Sequence, residues 1–203
     1  MPRVSSVSSS ETIRARLERL RAEVGPAVTV VAATKYVSVG EMASLLDAGI
    51  DVVGENRAQD LDAKHAVYGD AFRWHFIGRL QSNKAKVVNR ICELVHSLDG
   101  DSTARRLEVP ALVQVNLARE ETKGGVAPER IADLLALADV RGLSTMPPAA
   151  ADPEQSRPYF RRLRELAREH GLEQLSIGTS QDYRVAAEEG ATFVRVGSSL
   201  LRG

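Results

Sequence analysis

The sequence predicts a single (β/α)8 barrel of the TIM type, in the α/β class, with one extra helix at its N-terminus. Three observations carry this. Eight short apolar runs recur along the chain, most are followed by a helical pattern, and the glycine fingerprint of a doubly wound sheet is absent after the first run. With 203 residues and 43% hydrophobic content, the chain can build one sizeable core. Residues 11–203 are therefore expected to form one domain, and residues 1–10 a disordered tail.

In chain order, MPRVSSVSSS (1–10) is polar and reads as that frayed tail, with Ser10 the expected N-cap of a helix starting near Glu11. Ile13, Leu17 and Leu20 then fall at helical spacing. AVTVVAAT (27–34) is a continuous apolar, β-branched run, the signature of a strand buried on both faces. Further runs follow at 50–54, 74–78, 93–98, 111–116, 141–145, 173–178 and 192–197. Helical patterns separate most of them, as in VGEMASLLDAG, QSNKAKVVNRI and PERIADLLALAD. Strands joined by helices pair in parallel through right-handed crossovers. Because such barrels typically need about 250 residues, some connections must be lean. GDSTARRLEVP (100–110) leaves room for about two turns between strands four and five, and SSLLRG (198–203) only for the start of a last helix. The Pro/Ala-rich segment 146–158 reads as a loop before the charged helix YFRRLRELAREHG.

Composition narrows the function classes. Lys plus Arg and Asp plus Glu each total 27, so the overall balance favours neither nucleic acid nor an anionic membrane. The basic and acidic residues intermixed in RRLRELAREHG suit a solvated face with i,i+4 pairs. No apolar run reaches transmembrane length, and the N-terminus lacks the apolar region of a secretory signal. The single cysteine, Cys92, cannot close an internal disulfide and reads as a buried small residue. Together these predict a cytoplasmic protein whose ligand is a small metabolite. No Cys/His spacing fits a zinc site, and His96 with Asp99 in HSLD lacks further ligands, so no metal is assigned.

In such barrels, reactive groups gather where strands end, and a phosphate is often held by the loops after strands seven and eight. Lys35 follows the first strand, IGTSQD (177–182) the seventh and VRVGSS (194–199) the eighth. At the rim of an apolar barrel, desolvation favours a neutral lysine amine, which can attack an aldehyde. Closure sets strand eight beside strand one, so Arg195 is expected near Lys35. Gly178, Thr179 and Ser180, at the start of the helix QDYRVAAEEG, and Gly197, Ser198 and Ser199 after strand eight offer N–H groups and hydroxyls that can converge on an anion. Each alone would be a simple helix cap. A strand-end lysine, a phosphate cradle and an arginine are the parts of a pyridoxal 5'-phosphate (PLP) site. Asn56 and His75, at the ends of strands two and three, are secondary candidates for the pocket mouth. Asn56 reads alternatively as the N-cap of RAQDLDAKHAV, and His75 as a satisfied core histidine. Glu55 is expected to pair with a nearby Lys or Arg and receives no catalytic role.

The ordered segments ATKY, GENRAQD, WHFIGRLQSNK, VHSLD, LVQVN, EETKGG, RGLSTM, SIGTSQD and EEGATFVRVGSSL resemble the YggS/PROSC family of pyridoxal phosphate homeostasis proteins, over about residues 27–200. The resemblance implies a monomeric barrel like the N-terminal domain of alanine racemases, with Lys35 as the Schiff-base lysine. By the same match Arg195 faces the ring nitrogen, and Ser180, Gly197 and Ser198 hold the phosphate with Thr179 adjoining. The chain departs from the family pattern at Ser144, Ile177 and Thr179, where Met is usual, and at Ser198, where Thr is common. The first three are expected to change the pocket lining. The connection between strands four and five is also shorter than the family's.

Two functions remain open at this stage, a PLP carrier that stores and delivers the cofactor and a weak PLP-dependent amino-acid racemase. Racemisation needs an acid/base on each face of the substrate carbon. In alanine racemases a tyrosine of the second subunit supplies the other base, within an architecture that adds a C-terminal β-domain. This chain is expected to lack that domain. Tyr36 adjoins Lys35, but alternation along a strand would point it to the opposite face. A cationic Arg195 at the ring nitrogen weakens the ring as an electron sink. The carrier reading is therefore preferred, with no residue assigned as catalytic and apo PLP enzymes as candidate recipients. A cofactor-free Schiff-base aldolase would explain the phosphate turns but not the resemblance.

Overall fold

The structure, a computed structural model, describes residues 7–119 and 124–202. Its eight strands are β1 (Thr29–Ala33), β2 (Val52–Glu55), β3 (Arg73–Phe76), β4 (Leu94–Leu98), β5 (Ala111–Gln114), β6 (Val140–Ser144), β7 (Gln174–Ser176) and β8 (Phe193–Val196). They form a closed barrel in sequence order, each pair parallel, so the predicted fold class holds. Each strand lies within one of the predicted runs or overlaps it. Val30, Val31, Ala32, Val52 and Val53 are buried, as strands with helices outside and packed side chains inside require.

The helices are α1 (Ser10–Val24), α2 (Met42–Asp47), α3 (Ala58–Tyr68), α4 (Ala85–Ile91), α5 (Asp101–Ala104), α6 (Ile131–Leu135), α7 (Arg157–Glu169), α8 (Tyr183–Glu188) and α9 (Ser198–Leu201). The barrel is lean because several of these are only one or two turns long. The β4–β5 connection holds a single turn, α5, where the sequence had room for two. In α7 the solvated face pairs Arg162 with Glu165 and Glu169, at i,i+3 and i,i+7 rather than the expected i,i+4 spacing. Its other side sets Arg157, Arg161 and Arg164 around the buried Glu189, which ties α7 to the end of α8.

Two expectations at the N-terminus need correction. The cap of α1 is Ser9, not Ser10: Ser9 is extended (φ −60°, ψ 153°) and its side chain accepts the Thr12 N–H, whereas Ser10 is already helical. Residues 7–9 are also held in place rather than belonging to a free tail. The Ser8 N–H donates to Leu201 O at 2.9 Å and the Val7 N–H to Glu41 Oε1 at 3.1 Å, so backbone bonds fix this segment beside α9. The rest of the expected tail, residues 1–6, lies outside the described residues.

A polar chain runs through the barrel centre. Ser176 Oγ and His96 Nδ1 lie 2.7 Å apart, and His96 Nε2 and His75 Nδ1 lie 2.9 Å apart. Both rings meet Phe193 edge-on. His75 is only 2% exposed, so it is the satisfied core histidine and does not reach the pocket mouth. The reason is its inward direction on β3: it points to His96 and Phe193 across the barrel. Burial holds His75 down at about 4 and His96 well below the ordinary histidine value, so both are neutral near pH 7.

Candidate functional site

A cleft of about 470 Å³ opens at the barrel mouth above β8, β1 and β2. It gathers Lys35, Asn56, Thr179, Ser180, Arg195, Gly197 and Ser198 of the residues singled out in the sequence, while Gly178, Ser199 and His75 are not in its lining. Barrel closure does this. Arg195 is the register partner of Val31, and Val196 that of Ala32, so the β8 turn sits beside the end of β1.

Lys35 is two residues beyond β1, in a turn, and is exposed. It is not sunk in an apolar rim as the sequence suggested; its Nζ rests 4.7 Å from the centre of the Tyr36 ring. The alternation argument about Tyr36 fails for the same reason, because the strand has already ended.

The backbone carrying Lys35 is held from below by a buried network. Thr34 Oγ1 donates to Glu55 Oε1 at 2.5 Å, Lys64 Nζ donates to Thr34 O at 2.8 Å, and Lys64 forms an ion pair with Glu55. Glu55 Oε2 in turn accepts the Asn56 N–H at 3.2 Å. Side-chain exposure is 4% for Lys64 and 0% for Glu55, so the pairing expected of Glu55 is present and fully enclosed. Sequence reasoning missed Thr34 and Lys64. The signal was there: Lys64 continues the buried stripe Ala58, Leu61 of α3, where a lysine requires a buried partner.

Asn56 Oδ1 is buried without a hydrogen-bond partner, and the cap position of α3 is Arg57. Asn56 is thus not the N-cap. It lines the cleft with an unsatisfied acceptor. Its close neighbour is Gly78, where a Cβ would lie 2.1 Å from Asn56 O, so only glycine lets the β2 and β3 ends approach this closely.

Arg195 is 7% exposed and donates to Thr145 O at 2.9 Å. Burial pulls its pKa down to about 10, opposed by nearby Asp182, which leaves it cationic at neutral pH. With five N–H donors and this one acceptor among the described residues, the guanidinium has donors to spare.

The two expected phosphate turns are unequal. After β8, the Gly197 and Ser199 N–H groups converge on Ser180 Oγ at 3.3 and 3.4 Å, long bonds to a neutral acceptor. After β7, by contrast, the Thr179 N–H and hydroxyl both go to Asp182 Oδ1, at 2.7 and 3.0 Å, and Ser156 Oγ donates to Asp182 Oδ2. Thr179 therefore lines the cleft with its donors already committed. Gly178 turns the chain here at φ +90°, with no room for a Cβ beside Ala186. Helix α8 starts only at Tyr183 and α9 has four residues, so the two turns offer individual N–H groups rather than two long helix dipoles.

Ser144 and Ile177 are fully buried and do not line the cleft, which corrects the view that they alter its wall. Ser144 Oγ instead bonds His96 O inside the barrel. Among the described residues no three His, Cys, Asp or Glu side chains cluster as metal ligands, and no helix is long and apolar enough to cross a membrane. Cys92 is buried, and burial pushes its thiol up to about 12.

A closed parallel barrel with a lysine, a buried arginine and an N–H cradle at its mouth defines the alanine racemase type of barrel, and residues 8–202 match the family described as alanine racemase, N-terminal domain. Alanine racemase of Corynebacterium glutamicum shares the fold, with a TM-score of 0.73 over 97% of this chain and 62% of that one, at 15% identity. Nearer relatives narrow the class. The pyridoxal phosphate homeostasis protein of Aquifex aeolicus is 42% identical, covering 84% of this chain and 85% of that protein, and its namesake in Pseudomonas aeruginosa is 39% identical over 75% and 74%. PipY of Synechococcus elongatus, solved with PLP bound, superposes with a TM-score of 0.82 at 31% identity, covering 93% of this chain and 99% of that one. The chain belongs to the pyridoxal phosphate homeostasis protein family.

Proposed function

We propose that this protein binds PLP in the cleft above β8 and β1 and serves intracellular PLP homeostasis, storing and delivering the cofactor with little turnover of its own. The observation that carries this is the convergence on one cleft of an amine, a buried cation and polar groups left without good partners. Those residues fit the group. The Gly197 and Ser199 N–H groups, now on long bonds to Ser180, suit a phosphate, with the Ser180 and Ser198 hydroxyls beside them and Thr179 adjoining. Arg195, which lines the same cleft, is the cation that would meet the ring nitrogen, and the orphaned Asn56 Oδ1 can accept from a ligand hydroxyl. When bound, PLP supplies an aldehyde that condenses with an amine. Lys35 is the amine of this cleft, and Tyr36 packed against it restricts where its Nζ can go.

A carrier is favoured over a racemase by two features of the chain's own residues. A buried cationic Arg195 would oppose protonation of a ring nitrogen held beside it, and Tyr36 stacks on Lys35 itself rather than presenting a second base across the cleft. We further propose a monomer in the cytoplasm, with apo PLP enzymes as recipients; the inert, buried Cys92 suits a reducing compartment. Adding PLP to the wild type should give a yellow protein, and Lys35→Ala should stay colourless while keeping its fold. A Lys35→Ala variant that still turns yellow would refute the assignment. Rapid turnover of any of a panel of amino acids would overturn the carrier reading.

A further inference from the structure

The segment WHFIGRLQSNK (74–84) is the most distinctive motif in the sequence, yet it gives the cofactor cleft only Ile77. Its later residues line a different cavity, of about 580 Å³, on the part of the barrel mouth where β2, β3 and β4 end. Asn56 is the one residue common to both linings.

The charge in this second cavity is uneven. Arg57, Arg79 and Lys84 line it against a single carboxylate, Asp99, whose Oδ2 lies 3.6 Å from Arg79 Nε. Arg57 and Lys84 make no ion pair among the described residues. Arg57 and Lys84 thus bring two cations, neither in an ion pair among the described residues, to one concavity that holds a single carboxylate. The eleven-residue helix α3 also begins at this wall with no side-chain cap, which leaves its first-turn N–H groups free to donate. On the opposite wall the one-turn α5 keeps Asp99 and Ser102 at the cavity surface.

We propose that this cavity is a second binding site, for a small phosphomonoester that also carries an amino or hydroxyl group. Guanidinium forks, an ammonium and free backbone N–H groups match a phosphate dianion, and Asp99 supplies an acceptor for the ligand's own donor. The volume lies in the ordinary range for small-molecule pockets and slightly exceeds that of the cofactor cleft, so a metabolite of the cofactor's size fits. This inference stands independently of the PLP reading.

O-phosphoethanolamine tests it by isothermal titration calorimetry at physiological salt, on protein whose first cleft has been filled with PLP and fixed by borohydride. The expected result is saturable binding, tighter than for inorganic phosphate, that weakens about tenfold or more in the Arg57→Gln/Lys84→Gln double variant. Asp99→Asn should bring O-phosphoethanolamine down to the level of inorganic phosphate. Absence of saturable binding, or binding that the double variant leaves unchanged, overturns the proposal. Both substituted cations lie outside the cofactor cleft, and the unfolding midpoint of the double variant verifies its fold. If PLP does not attach, the cofactor reading fails on its own, and the binding lost in the double variant still reports the second cavity.

Discussion

Away from the mouth, most buried polar groups are paired: Ser176, His96 and His75 form one chain, Ser144 Oγ donates to the His96 carbonyl, and Thr34, Glu55 and Lys64 close on one another, with Gln174 Oε1 on β7 the exception. At the mouth above β8, among the described residues, Arg195 has one acceptor, the Gly197 and Ser199 N–H groups share a distant hydroxyl, and Asn56 Oδ1 has no partner. Buried polar atoms are normally satisfied, and this difference is the basis for assigning the first set to the scaffold and the second to the proposed site. On the proposed reading, groups paired with each other hold the fold, and the cleft groups without good partners are the ones a ligand would meet. Substitutions in the first set should cost stability, and those in the second should cost cofactor retention.

The largest effect is expected at Lys64. Lys64→Met leaves the Glu55 carboxylate enclosed and unpaired, which should destabilise the fold by about 3–5 kcal/mol in urea unfolding. A loss near zero would mean that Glu55 and Lys64 do not belong to the scaffold.

Acid should act next, through the central histidines. Their folded pKa values lie below the ordinary value of about 6.5, so the stability they allow is full above that pH and is lost as pH falls toward about 4. The thermal midpoint should therefore drop between pH 7 and pH 5, and a His75→Gln/His96→Gln variant should lose much of that dependence.

A smaller and opposite pattern is expected at Arg195. Arg195→Met removes a buried cation that has no carboxylate bound to it, so the apo fold should hold its stability while PLP is released about tenfold faster. A collapse like that of Lys64→Met would erase the distinction between the two regions. The mildest test is Ser180→Ala/Ser198→Ala, which should weaken PLP retention by about 1–2 kcal/mol without moving the unfolding midpoint.

The sequence disclosed the barrel because its strands are buried on both faces and repeat with helices between them, a pattern that survives without any knowledge of contacts. It brought Lys35, Arg195 and the β8 turn to one end of the barrel because strand closure follows from topology alone. What it hid depends on side-chain direction. His75 sits next to Phe76 and Ile77 at a strand end, and only its inward orientation separates it from the cleft. Thr179 looked like a free donor until Asp182, three residues on, took both its N–H and its hydroxyl. The partnership of Thr34 with Lys64 spans thirty positions and three elements, a distance at which spacing carries no signal.

The central claim is that Lys35 is the residue by which this chain holds PLP. Purified protein incubated with PLP, reduced with borohydride and mapped by peptide mass spectrometry decides it most directly. The account predicts the pyridoxyl label on Lys35 alone at one equivalent of cofactor; label on Lys64, Lys84 or any other lysine in preference to Lys35 would contradict it.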